Sequence, residues 1–158
     1  MNRPLKIAFA LGLGCSLAFV VQRKASAAVA NHHHPSENSL QAGKVLREYK
    51  GVKLGLKREQ VHAALGQPES GNEASEDFKL TGEDTMTVRY ENGEVKALQL
   101  AFQDAKNAPA WKDVVGDAEV IQLANGAKTA RKVLAEEKFW VSIYQNKEGT
   151  VTRITISR

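Results

Sequence analysis

Three consecutive histidines, His32-His33-His34, are the densest set of potential metal ligands in the chain. If a mature N-terminus begins at Asn31, a free amine, two backbone amides and the His33 imidazole form a square-planar nitrogen set. Copper(II) and nickel(II) favour that set. The competing reading is a solvated tail, because the residues around the cluster show no apolar periodicity. His62 is the only other histidine. It falls on an expected helix with no obvious partner, so no catalytic role is assigned to it. Cys15 is the single cysteine and lies inside an apolar run. Gly12 stands three residues before it and the run continues beyond it, which argues against a lipid anchor. Loss of that run would leave no thiol chemistry and no Cys-based zinc site. Ser70, Ser75, Ser142 and Ser157 lie outside any Gly-x-Ser-x-Gly elbow, and no glycine-rich phosphate loop is present. Glu73, Glu76 and Asp77 lack the spacing of a calcium loop and read as a solvated turn. The expectation is no catalytic residue, no cofactor and no enzyme.

The aromatic residues are the stronger lead. Phe139–Gln145 alternates, so neighbouring side chains point to opposite faces. Phe139, Val141 and Ile143 make the expected core face. Trp140, Ser142 and Tyr144 then share the other face, where aromatics are favoured anchors for a protein partner. The alternative reverses the faces and packs Trp140 and Tyr144 between repeats or beneath a helix.

These residues need elements to hold them. The 158 residues are 42% hydrophobic and 25% charged, which suits one globular domain or two very small ones. The formal charge of +4 sits at the N-terminus. Residues 1–27 hold Arg3, Lys6, Arg23 and Lys24 and no acid. Taking those four from the 22 basic residues leaves 18 against 18 acidic ones, so the basic total gives no case for nucleic acid. Lys128–Lys132 is too short a basic run to change that. Met1–Lys6, the apolar run Ile7–Val21 and Ala25-Ser26-Ala27 have the three-part layout of a secretory signal. Cleavage is expected after Ala27, with Ala28-Val29-Ala30 as a second site. An uncleaved anchor is the alternative and the only expected membrane attachment. Residues 28–41 read as a flexible leader, and the chain as exported, to the medium or to the cell envelope.

The folded part reads as α+β: a tandem repeat of two short helices followed by a three-stranded antiparallel sheet. In the first copy, residues 40–102, helices are expected at Leu40–Tyr49 and Lys57–Leu65. Strands follow at Asp77–Thr81, Thr85–Glu91 and Val95–Phe102, with a hairpin turn at Asn92-Gly93. The second copy, residues 109–158, opens with a helix through Trp111, Val114 and Val115. Asp117 caps a second helix, Ala118–Ala124, which Asn125-Gly126 ends. Strands are expected at Ala130–Ala135, Phe139–Gln145 and Thr150–Ser157. Two such units, each marginal alone, would join their sheets into one platform with a free face. That account requires a pair of helices before the strands of the second copy.

The stretch Gly51-Val52-Lys53-Leu54-Gly55-Leu56-Lys57-Arg58-Glu59-Gln60-Val61-His62-Ala63-Ala64-Leu65-Gly66-Gln67-Pro68 resembles the signature of the SmpA/OmlA (BamE-like) envelope proteins. Lys57 stands where that family carries Thr or Ser. The two-copy order resembles the β-lactamase-inhibitor-protein architecture. The resemblance implies non-enzymatic work: support of outer-membrane assembly, or a grip on a partner enzyme through a concave sheet. The expected partner is therefore another protein, a secreted hydrolase or an envelope component. A cell-wall hydrolase is the remote alternative. N-terminal sequencing of the exported form tests the metal reading. A start at Asn31, with copper(II) affinity lost on removing residues 31–34, supports it; a start at Ala28 removes it.

Overall fold

The computed structural model describes residues 44–158. The expected signal, the leader, Cys15 and the His32-His33-His34 cluster lie outside the described residues. Lys44–Arg47 runs without regular structure into a two-stranded hairpin, β1 (Glu48–Tyr49) with β2 (Val52–Lys53). Helix α1 (Arg58–Leu65) follows. Four strands come next: β3 (Ser70–Gly71), β4 (Ser75–Lys79), β5 (Thr85–Glu91) and β6 (Glu94–Phe102). A short 3-10 turn leads to helix α2 (Trp111–Val115). The chain closes with β7 (Ile121–Gln122), β8 (Lys128–Leu134), β9 (Phe139–Gln145) and β10 (Thr152–Ser157).

The eight strands from β3 to β10 form one antiparallel sheet in the order β3-β4-β5-β6-β10-β9-β8-β7. Each half is a meander, and the halves meet where β6 pairs with β10 along six residue pairs, Thr152–Phe102 through Ser157–Ala97. The alternation read from the sequence explains the strands. Met86, Val88 and Tyr90 of β5 are buried, as are Leu98, Leu100 and Phe102 of β6, Val141 and Ile143 of β9, and Ile154 and Ile156 of β10. All face one side, where Val61 of α1 and Val114 and Val115 of α2 join them in a single core. Asn92 and Gly93 both have positive φ and make the expected tight turn. Phe139–Gln145 and Thr85–Glu91 have the boundaries expected of them.

The tandem repeat of two helices and three strands is not what forms. The expected helix Leu40–Tyr49 begins outside the described residues, and from Lys44 onward it is absent. Tyr49 pairs with Val52 across a turn in which Lys50 adopts positive φ, a conformation no helix continues through. Val45, Leu46 and Tyr49 mimic helical spacing, but they pack on the core from an extended chain. The expected helix Ala118–Ala124 is also absent. Ile121 and Gln122 pair with Thr129 and Lys128 instead. Asn125-Gly126, read as a helix end, turns a hairpin: the Leu123 N–H donates to the Ala127 carbonyl at 2.8 Å, and Gly126 sits at φ 83°. Each half thus gives one helix and four strands to the eight-stranded sheet, the first half adding the β1–β2 hairpin, and the second set of strands has no pair of helices before it. The common platform rests on the β6–β10 pairing, not on a two-helix unit.

Thr152, on the core face of β10, is 2% exposed and its hydroxyl has no hydrogen-bond partner among the described residues. A buried hydroxyl left unpaired costs about 1–3 kcal/mol. Thr152→Val is therefore expected to stabilise the fold by about 1 kcal/mol. Urea unfolding of the two proteins checks it, and a loss of stability would show that the hydroxyl is used.

Candidate functional site

The face of the sheet opposite the core carries the candidate site. Register partners in antiparallel strands point to the same face, so the pairings define rows across it. The first row runs Ser70–Asp77–Thr87–Gln99–Thr155–Ser142–Arg131. A second runs Lys79–Thr85–Ala101–Arg153–Tyr144–Thr129–Ile121. The third runs Ser75–Arg89–Ala97–Ser157–Trp140–Val133. Trp140, Ser142 and Tyr144 therefore share the face opposite Phe139, Val141 and Ile143, in the arrangement the alternation implied. All three are half-buried. No described helix lies over them; α1 and α2 both belong to the core side.

The side chains on this face differ in height from one end to the other. Thr85, Thr87, Ala101 and Thr155 are small and floor a shallow depression of about 300 Å³ bordered by Arg153. Toward β8 the residues are tall. The Arg131 guanidinium lies over the Trp140 ring, 4.2 Å from its centroid. Tyr144 is the register partner of Arg153. Among the described residues, Arg89, Arg131 and Arg153 make no ion pair. Asp77, on the same face, is held by the hydroxyls of Ser70 and Thr87 at 3.0 and 2.7 Å. The face thus combines cations without acid partners and two aromatic rings, a composition enriched at protein interfaces.

The core side holds a polar cluster that the sequence reading missed. Glu76 is 4% exposed. Its carboxylate accepts from Arg58 Nη1 at 2.7 Å, from His62 Nε2 at 2.9 Å and from the Tyr90 hydroxyl at 2.7 Å. Arg58 also covers the Tyr90 ring at 4.4 Å and donates to the Glu73 carbonyl at 2.6 Å. His62, expected to lack a partner, therefore has one. The signal was available. Strand β4 starts at Ser75, so Glu76 shares parity with the buried Phe78 and must find donors inside. Arg58 and His62, four residues apart on α1, supply them from one helix face. The same parity dismantles the acidic trio: Glu76 points to the core and Asp77 to the open face. Among the described residues no three or more of His, Cys, Asp and Glu come together as metal ligands.

Arg58, His62, Glu76 and Tyr90 tie α1 to the sheet. Burial alone would raise the Glu76 carboxyl. Its bonds from Tyr90 and His62 and the charge of Arg58 offset that and hold it below the usual carboxylate range. Burial, together with the bond to Glu76, pushes the Tyr90 hydroxyl up, so it stays a donor. Among the described residues no serine, threonine or tyrosine hydroxyl hydrogen-bonds a histidine; those of Ser70, Thr87 and Tyr90 bond carboxylates. No described helix is long and apolar enough to cross a membrane. No protein-family model, curated protein or solved structure matches this chain.

A depressed carboxylate stabilises the fold above its unfolded pKa, and that stability is lost as pH falls through the folded value. Glu76→Gln is expected to cost about 1–3 kcal/mol at neutral pH. The cost should shrink at about pH 3, below the usual carboxylate range, as the advantage of the ionised carboxylate is lost. Urea unfolding at the two pH values checks this; an equal cost at both would assign the loss to packing.

Proposed function

We propose that this chain is an exported, non-enzymatic binding or scaffold module that holds another protein against the open face of its sheet. The observation that carries the reading is the placement of Trp140 and Tyr144, with Arg131 over the indole, on a face that no described helix covers. Rigid amphipathic rings and a guanidinium on a preformed surface bind at low entropic cost. The fold supplies the rigidity, because each row of the face is fixed by backbone pairing from one edge of the sheet to the other. The N-terminal layout of residues 1–27 supports export. The motif Gly51–Pro68 supports a place beside the SmpA/OmlA envelope proteins. Locally, α1 ends at Leu65, Gly66 turns the chain, and Pro68 leads it into β3. A secreted hydrolase and an envelope component remain the two partner types this reading names.

Affinity capture from envelope and medium fractions with wild type and Trp140→Ala tests the site. Truncating a central aromatic anchor typically costs about 2 kcal/mol, so partner recovery should fall by roughly thirtyfold. Circular dichroism should show the variant folded. Equal recovery by both proteins would remove Trp140 from the interface.

A further inference from the structure

The four large apolar residues that are most exposed among the described ones are Val120, Ile121, Leu123 and Val133. All four lie at one edge of the sheet. Strand β7 is two residues long and covers β8 only at Lys128 and Thr129. From Ala130 to Leu134, β8 is paired with β9 on its inner side and, among the described residues, with nothing on its outer side. The other edge is closed differently. There Glu69 donates to Asp77 and Asn72 donates to Ser75, so the backbone of β4 is largely satisfied.

A bare edge flanked by exposed apolar side chains is a template for another strand. We infer that the outer edge of β8 accepts an extended, acidic segment of the partner protein as a ninth strand, beside the aromatic face. This rests on the reading of the chain as a binding module and names the chemistry of its partner. Charge selects the occupant. Strand β8 carries Lys128, Arg131 and Lys132 and no acid. Lys132 is met by Asp117 at 2.7 Å from the chain that leads into β7. Arg131 has no acid partner among the described residues and stacks on Trp140. In a second copy, registers centred on Arg131 or Lys132 set like charges opposite each other, which is destabilising. Arg131, Val133 and Ile121 share the open face. An acidic side chain opposite Arg131 and an apolar one opposite Val133 therefore stand two residues apart on one face of the added strand.

The probe is a capped seven-residue peptide with glutamate and valine two positions apart on one face and threonine between them, titrated into the full-length chain by calorimetry. Two control peptides replace glutamate by lysine, or methylate the backbone nitrogens on one edge. The acidic peptide should bind about tenfold tighter than either control, because one loses the charge match and the other the strand pairing. Arg131→Glu should invert the preference between the acidic and the basic peptide. Val133→Asn should weaken the acidic peptide about tenfold with an unchanged circular dichroism spectrum. Absence of acidic-peptide binding overturns the inference, and so does equal binding of the methylated peptide. A concentration-dependent dimer lost on Val133→Asn overturns it too, by assigning the edge to a second copy. In the first two cases a capture defect of Trp140→Ala would leave the open-face reading standing without the ninth strand.

Discussion

The pairing of Glu94–Phe102 with Thr152–Ser157 is the constraint on which the rest of the structure depends. Each half of the sheet ends on the strand that the other half needs. Without this contact the core face splits into two small apolar surfaces, each served by one short helix. Helices of eight and five residues cannot hold themselves together in water. With it, Leu100 and Ile154 become direct neighbours at the centre of one core. The open face becomes continuous for the same reason, because the rows that place Ser142, Tyr144 and Trp140 all cross this junction.

The buried carboxylate of Glu76 is the second organising element. A charge in that position is tolerated only with donors around it. Two come from α1 and one from Tyr90, so the cluster fixes the helix over the first half of the sheet at a defined angle. Among the described residues the second half lacks such an arrangement; there Val114 and Val115 of α2 are buried, and the Val114 carbonyl accepts from the Leu46 N–H at 3.0 Å. The two helices thus serve equivalent roles through different physics. One is pinned by side-chain bonds to a buried carboxylate, the other by burial and one backbone bond.

Strands were easier to read than helices in this chain, for a physical reason. A half-covered sheet imposes strict alternation, and Met86-Thr87-Val88-Arg89-Tyr90 and Phe139-Trp140-Val141-Ser142-Ile143 record it residue by residue. The helices are too short to build a comparable signal. Val45, Leu46 and Tyr49 carry helical spacing by coincidence, and the turn at Lys50 decides against it. Val120, Ile121 and Leu123 look like the inner side of a helix, yet they are exposed, so the assumption that apolar means buried misled there. Starting β4 two residues late hid the parity of Glu76, and with it the reason for Arg58 and His62. The face of Trp140 and Tyr144 was legible because it follows from alternation alone. The unpaired part of β8 was not, because edge position is a property of strand order, which no local pattern encodes.

The order of the strands also shapes how the chain reaches this state. Strands β3 to β6 form a meander from contacts close in sequence, and so do β7 to β10. The junction joins residues about fifty to sixty positions apart, a contact that closes slowly because chain entropy opposes it. Until it closes, β6 and β10 are long, apolar, unsatisfied borders of two half-sheets. During that interval the half of one molecule can engage the complementary half of another, giving an exchanged pair with the same internal contacts as two separate molecules.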